Sequence, residues 1–188
     1  MTFGNLNPSY HPGLTPTIRG HFENDKYVFF WSGPFSNWDM GDFVSTLGVS
    51  SSETPIKFNC SEQAMMMLKA MTFWDYDAAA RVMAERNPRK QKEIGRGVKN
   101  FDQEEWENGA MIRFPKVLQA KFEQVPGYEK ILLDTGDKII VEASPFDAVW
   151  GIKMGVNNPD ILDESKWQGK NLLGQCLMIA RQLIRDSK

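Results

Sequence analysis

Two side chains of one predicted helix, Glu62 and Lys69, have the types and spacing that acid–base and amine chemistry require. They are seven residues apart, close to two helical turns and about 10.5 Å along the axis, so they share one face. Methionine and leucine dominate the residues between them, which predicts burial. A buried lysine keeps part of its amine neutral, able to attack an aldehyde-like carbon. Alternatively, Glu62 only completes a capping box from Asn59, and Lys69 reaches solvent.

Two further candidates for ligand binding are an amide and a guanidinium. Asn37 lies in residues 35–38 (FSNW), directly after a predicted strand, although this segment also suits a simple turn. Arg96 belongs to the basic stretch 86–99, which can capture phosphate while Gly95 lets the backbone approach the ligand. Such a stretch also forms ordinary solvated helix faces.

Aromatic and acidic residues in the C-terminal two thirds of the chain are a third group. Trp106, Asp147 and Trp150 can stack on, or hydrogen-bond to, a base or ribose, although tryptophans commonly pack in cores. Residues 169–174 (GKNLLG) resemble part of a phosphate loop, but they lack its spacing and its Ser or Thr, and they open a helix without a preceding strand. They are a poor match to that motif.

The remaining inventory of the 188 residues excludes several chemistries. The only histidines are His11 and His21, which leaves little for a zinc site or a histidine-based triad, so we expect no metal and no other cofactor. Cys60 and Cys176 are far apart and without histidine neighbours, and we expect them to be reduced, half-buried core thiols. Carboxylates, lysine, arginine, amides and tyrosine must carry the chemistry.

Charge and hydropathy limit the partners. A net charge of −2 and a pI near 5.8 argue against a general nucleic-acid coat, which requires a broad basic surface. The apolar stretches are too short to cross a membrane. Residues 1–25 lack the basic start and apolar run of a secretion signal. We expect a cytoplasmic protein with no membrane partner.

The elements that must position these residues predict an α+β fold, mostly α-helical, as one compact domain with a small sheet. Strands are expected at 26–32, 55–58 and 138–143, and helices at 61–74, from 75 or 77, from 88 to 95 or 97, at 103–124, 128–133 and 169–185. Residues 39–54 are predicted to be a loop. Residues 1–25 read as an N-terminal arm before a domain at 26–188.

Taken in chain order, these pieces resemble the NADAR family, the YbiA-like N-glycosidases. The matching features are the aromatic strand leading to Phe35–Asn37, Ser61–Glu62 with Lys69 eight residues after the serine, Gly95–Arg96, Trp106, residues 120–124 (AKFEQ), residues 147–151 (DAVWG) and residues 169–174 (GKNLLG). They extend over roughly residues 28–184. Their shared order over that length argues against chance agreement.

The resemblance implies a small, mostly helical fold that hydrolyses N-glycosidic bonds without a metal. Family substrates are ribosylamino-pyrimidine phosphates and, in other members, ADP-ribose attached to guanine, free or in nucleic acid. Glu62 and Asp147 become acid–base and ribose-orienting carboxylates, and Lys69 becomes the amine that forms a Schiff base with opened ribose. Trp106 then shapes the pocket, while Asn37 and Arg96 contact the ligand.

Two other functions compete with this one. A non-catalytic ADP-ribose or nucleotide-binding module would keep the pocket without turnover, but binding an anionic ligand gains nothing from the two carboxylates of Glu62 and Asp147. A metal-dependent ADP-ribosyl hydrolase would require a cluster of Asp and Glu ligands. Chelation separates that function from a metal-free enzyme.

Overall fold

The computed structural model describes residues 10–17, 20–49 and 54–188. The chain forms two compact units, each built from two separate stretches of sequence. The first unit contains the described residues up to Gly33 together with Asp137–Gln175. The second contains the described residues of Pro34–Gly136 together with Cys176–Lys188. Helices and a small mixed sheet give the predicted α+β fold.

The predicted helices and strands are present within a few residues of their expected bounds. In chain order the elements are β1 (Thr15–Pro16), β2 (Phe22–Glu23), β3 (Tyr27–Phe30), β4 (Met40–Ser45), β5 (Ile56–Cys60), α1 (Ser61–Thr72), α2 (Tyr76–Ala84), α3 (Pro88–Arg96), α4 (Gln103–Gln124), α5 (Tyr128–Leu133), β6 (Ile139–Glu142), a short 3-10 helix (Glu164–Lys166) and α6 (Leu172–Asp186). Within the described part of the chain, none of these helices combines the length and the hydropathy of a membrane span.

The first unit is organised by a four-stranded sheet in the order β1-β2-β3-β6. The central strand β3 is entirely buried and runs parallel to β6, with Tyr27 opposite Ile139. On its other side β3 pairs antiparallel with β2, and β2 with β1. Both β1 and β2 come from the predicted N-terminal arm. Residues 1–9 and 18–19 of that arm lie outside the described residues, and its boundary at residue 26 stays a prediction.

Residues 169–174 attach the start of α6 to β6. The Asn171 side chain accepts a hydrogen bond from the Glu142 N–H at 3.0 Å and donates one to the Ile140 carbonyl oxygen at 2.9 Å. A Cβ on Gly174 would lie 2.0 Å from that same carbonyl oxygen. Close backbone packing therefore explains the GKNLLG motif, in agreement with its poor match to a phosphate loop.

The second unit is organised around α1, which contacts β5, α2, α3 and α4. β5 pairs antiparallel with β4. Because β4 lies inside residues 39–54, the prediction that this whole segment is a loop was wrong. Phe43 and Ser45 are buried while Asp42 and Val44 are exposed, which is the alternation of a half-buried strand. Nearby glycine and serine residues obscured that short pattern.

The start of α1 differs from the predicted capping box. The residue before the helix is Cys60, which makes no side-chain cap. The Asn59 N–H donates to Gln63 Oε1 at 2.9 Å, and the Asn59 side chain donates to the Arg86 carbonyl oxygen at 3.0 Å. The box failed because Asn59 belongs to β5 and bonds elsewhere. Capping by Asn59 therefore does not explain Glu62.

The C-terminal part of α6 is tied to the loop after α5 within the second unit. Arg181, 6% exposed, donates to the Thr135 hydroxyl at 2.8 Å. Arg185 donates to the Gly136 carbonyl oxygen at 2.7 Å. These bonds join two stretches of the second unit that are far apart in sequence.

Candidate active site

Helix α1 carries both residues of the predicted acid–base pair in a buried environment. Glu62 is 3% exposed and Lys69 is 9% exposed. The Glu62 N–H donates to the Asn37 carbonyl oxygen at 2.9 Å, which fixes the first turn of α1 against the segment after β3. Burial of ionisable side chains costs free energy, so two of them on a methionine-rich helix favour a functional role over a structural one.

The surroundings of Lys69 favour a neutral amine. Its Nζ lies 3.8 Å from the centroid of the Phe101 ring, and Phe101 packs edge-on against Phe73 at 5.4 Å. Burial, followed by the positive charge of Arg96, lowers the pKa of Lys69. The ring attracts the ammonium form, but burial and Arg96 act in the opposite direction. Lys69 thus has the desolvated environment that the sequence predicted.

The two residues beside Glu62 at this contact, Asn37 and Ser61, carry buried polar atoms. Asn37 is 7% exposed; its Nδ2 contacts Met65 Sδ at 3.7 Å, and its Oδ1 has no hydrogen-bond partner among the described residues. The buried Ser61 hydroxyl likewise has none there. Because an unpaired buried polar atom costs about 1–3 kcal/mol, a ligand that hydrogen-bonds to these atoms gains binding free energy.

A lysine that sequence reasoning missed holds the segment that carries Asn37. Lys121 of α4 is 1% exposed, and its Nζ donates to the carbonyl oxygens of Ser36 and Asp39, both at 3.3 Å. Burial lowers the pKa of Lys121 to about 8. Lys121 follows the buried Phe114 by two helical turns, so it falls on the apolar face of α4. That spacing was the signal that could have identified it.

Arg96 is exposed at the last position of α3. Gly95 brings α3 close to α1, because a Cβ at this residue would lie only 2.0 Å from Met66 Sδ. The prediction that Gly95 lets the backbone approach a phosphate was wrong, since its open side is filled by methionine. The helix contact instead places Arg96 near enough to Lys69 to act on its pKa.

The remaining predicted residues are a buried tryptophan, Trp106, and two residues of an acidic turn, Asp147 and Trp150. Trp106, in the first turns of α4, is 3% exposed. Asp147 accepts hydrogen bonds from the Val149 and Trp150 N–H groups at 3.0 and 2.8 Å, and both Asp147 and Trp150 are half-buried. Asn37, Glu62, Lys69, Arg96 and Trp106 belong to the second unit, whereas Asp147 and Trp150 belong to the first.

The two thiols are unsuited to nucleophilic chemistry. Cys60 and Cys176 are free core thiols, but both are fully buried, so the expectation that they are half-buried was wrong. Burial raises the pKa of Cys60 to about 11 and that of Cys176 to about 12, so both are protonated near neutral pH. Across the described residues, no three His, Cys, Asp or Glu side chains are grouped to hold a metal ion.

A concavity of about 520 Å³ lies between α2 and α3, away from the predicted pair. Its charged lining residues are Arg81, Glu85, Lys90 and Glu93. Lys90, which lines the concavity, belongs to the basic stretch 86–99, but neither Glu62 nor Lys69 lines it, and its mixed charges match no single ligand class. The buried environment of α1 remains the better candidate.

Comparisons with known proteins agree on one family. The NADAR domain model matches residues 29–185. N-glycosidase R617 of Acanthamoeba polyphaga mimivirus is 37% identical over 168 residues, which are 85% of this chain and 97% of that protein. N-glycosidase YbiA of Shigella flexneri is 27% identical over 170 residues, 89% and 94% of the two chains. The NMR structure of E. coli YbiA gives a TM-score of 0.64 at 25% identity and covers 90% and 91%.

Proposed function

The chain belongs to the NADAR family, and on this premise we propose that it hydrolyses the N-glycosidic bond of a ribosylated base. The observation that carries the proposal is the buried pair Glu62 and Lys69 on α1. The relatives named as N-glycosidases support a hydrolase that acts on N-glycosyl compounds. The pair supplies the acid–base group and the amine that such a reaction uses.

The proposed reaction begins with loss of the base. Breaking the ribosyl C1′–N bond leaves positive charge on the sugar and sends the electron pair to the base nitrogen, to which Glu62 delivers a proton. The neutral Lys69 amine adds to C1′, and the sugar ring opens to an imine. Water then hydrolyses the imine, returns a proton to Glu62 and frees the lysine. One water is consumed for each base released.

The proposed substrate is a small nucleotide or an ADP-ribose derivative. Two types match the family: ADP-ribosylated guanine, free or in nucleic acid, and a ribosylamino-pyrimidine phosphate. The buried Oδ1 of Asn37 supports a hydrogen bond to base or sugar, and the exposed guanidinium of Arg96 supports a phosphate contact. Ribose orientation by Asp147, and pocket contacts by Trp106 and Trp150, rest on the family resemblance.

A cytoplasmic location is part of the proposal. The two cysteines, Cys60 and Cys176, are both free thiols. Free thiols are typical of a reducing compartment, which supports the cytoplasm over an oxidising one.

Analysis of products tests the proposed function. The protein is incubated separately with ADP-ribosylated guanosine and with a ribosylamino-pyrimidine phosphate, and the products are identified by mass spectrometry. We expect release of the base from at least one substrate and much less release with the Glu62→Gln variant. Tight binding of ADP-ribose with no release from either substrate would identify a non-catalytic binding module instead.

A further inference from the structure

Two large aromatic side chains are exposed in the turn that follows α1. Trp74 is 75% exposed and Tyr76 is 57% exposed. Their ring centroids lie 6.4 Å apart and their planes are inclined at 74°, so the two rings form an exposed aromatic corner. Exposed indole and phenol rings offer flat surfaces on which a nucleobase can stack.

The backbone holds this aromatic corner in place. Trp74 has a φ of 59°, a left-handed conformation that is costly for a side chain larger than glycine. The Asp75 carboxylate accepts hydrogen bonds from the Ala78 N–H at 3.1 Å and from the Lys99 N–H at 3.0 Å. The left-handed Trp74 also ends α1, with the Asp75 N–H donating to the Ala70 carbonyl oxygen at 2.9 Å, so the backbone around the exposed ring is fixed.

The aromatic corner is continuous with the surroundings of Lys69. Phe73 immediately precedes Trp74 and contacts Phe101, whose ring lies under the Lys69 amine. Two exposed cations, Arg96 and Lys99, are connected to the same surroundings. The positive charge of Arg96 lowers the pKa of Lys69, and the Lys99 N–H donates to the Asp75 carboxylate in the turn after α1. Along these contacts the Lys69 amine is followed by Arg96, then by Lys99, and then by the aromatic corner.

We propose that Trp74 and Tyr76 bind the distal nucleobase of a dinucleotide-type substrate, with Arg96 and Lys99 along its diphosphate. This inference rests on the proposed function and deepens it, because it selects an ADP-ribosylated base over a ribosylamino-pyrimidine monophosphate. A monophosphate substrate ends at its single phosphate and has no second base for the aromatic corner. An ADP-ribosyl group carries ribose, diphosphate and adenine in the same order as the residues.

Kinetics with a substrate and its truncated form test the inference. The substrates are ADP-ribosylated guanosine and the same compound without its adenosine monophosphate portion, which keeps the glycosidic bond. For the W74A/Y76A variant we expect KM for the full substrate to rise about tenfold, as loss of base stacking predicts, with kcat unchanged. Both constants for the truncated substrate should equal those of the parent.

Matched variants and a second measurement complete the test. Ile112→Ala removes an apolar side chain that is also 75% exposed, and it should leave all constants unchanged. Trp74→Phe keeps a ring and should retain most of the affinity. Equal effects of W74A/Y76A on both substrates, or no effect on either, would overturn the inference.

Calorimetric titration of the parent and of W74A/Y76A with ADP-ribose, and with ribose 5-phosphate, requires no turnover. If the parent cleaves neither substrate, the proposed function fails. These titrations still show whether the aromatic corner binds the distal base. Preferential binding of ADP-ribose that is lost in W74A/Y76A supports it. The same affinity for ADP-ribose in both proteins rejects it.

Discussion

Glu62 and Lys69 are both kept from water, but their surroundings act on them in different ways. The Lys69 amine lies over the Phe101 ring and near the charge of Arg96, and its pKa is lowered. Glu62 lies in the first turn of α1, where its N–H donates to the Asn37 carbonyl oxygen. At the scale of single residues, an amine made easier to deprotonate shares a helix with a carboxylate, and two predictions test this pair.

Glu62→Gln should fold normally and lose activity by a factor of about 100 or more, because an amide of the same shape cannot transfer a proton. The measurement is kcat for base release, with the thermal unfolding midpoint as a check on folding. Glu93→Gln, which changes an exposed carboxylate of α3, is the matched control and should keep full activity. Equal turnover by Glu62→Gln and the parent would remove Glu62 from the mechanism.

Borohydride reduction in the presence of ADP-ribose should attach one sugar-nucleotide mass to Lys69. Because the pKa of Lys69 is lowered, trapping should persist to lower pH than it does for an exposed lysine, and then fall as the amine becomes protonated. Lys69→Ala and Lys69→Arg should abolish both trapping and turnover, since a guanidinium stays protonated. Peptide mapping locates the adduct. Full activity in Lys69→Ala would show that the amine takes no part.

At the scale of helices and loops, the site depends on contacts between elements that are distant in sequence. Gly95 lets α3 approach Met66 of α1, and Lys121 of α4 holds the segment that carries Asn37. Gly95 has this effect because it lacks a side chain, and Lys121 because its side chain is long. Each fixes a neighbour of α1 at a defined distance.

Gly95→Ala should destabilise the protein by about 1–3 kcal/mol, because the new methyl group overlaps Met66 and forces α3 away from α1. Denaturant unfolding measures the change. Gly97→Ala is the matched control, since its Cβ would meet only the Ile94 carbonyl oxygen at an ordinary 3.5 Å. In a Met66→Ala background, Gly95→Ala should cost less than it does in the parent, because the new methyl group then has room. A neutral Gly95→Ala would show that the two helices adjust freely.

Local signals predicted some elements well and others poorly. The starts of α2, α3 and α4 were predicted to within one residue, and Asp75, Asn87 and Asp102 cap these helices, because a cap involves only residues a few positions apart. The capping box at Asn59 and the role of Lys121 depend on partners 27 to 85 positions away along the chain. Such partners are set by the tertiary fold. The burial of Glu62 and Lys69 could be predicted because both lie on one methionine-rich helix.

At the scale of the whole molecule, pH acts on folding through buried ionisable groups. Lys121 has a pKa of about 8 in the folded protein against an ordinary 10.5. Between these values the unfolded chain binds more protons than the folded one, so stability rises with pH across this window. Below about pH 8 both states are charged, and the cost of burying the charge is fully present.

Lys121→Met should remove this rise of stability with pH, because methionine does not ionise. From pH 8 to 10.5 the parent should gain up to about 3 kcal/mol of unfolding free energy relative to the variant. Denaturant unfolding at several pH values measures the difference. Lys116→Met, which changes an exposed lysine of α4, should show no such trend. A parent-to-variant difference that stays constant with pH would mean that Lys121 is charged throughout.

Activity should survive exhaustive chelation, because amine and carboxyl chemistry requires no metal. The protein is dialysed against EDTA and assayed for base release, with the metal content measured separately. Loss of activity that added Mg²⁺ or Zn²⁺ restores would show a metal-dependent hydrolase.

The discontinuous composition of the two units has a consequence for synthesis on the ribosome. When residue 136 has been joined to the nascent chain, Glu62, Lys69 and α1–α5 already exist, but Arg181 and Arg185, which bond to Thr135 and Gly136 in the same unit, do not. The bonds that join α6 to the loop after α5 therefore cannot form until translation has passed residue 185. A premature stop within α6 would leave every predicted catalytic side chain in place while the bonds from Arg181 and Arg185 to the loop after α5 are missing.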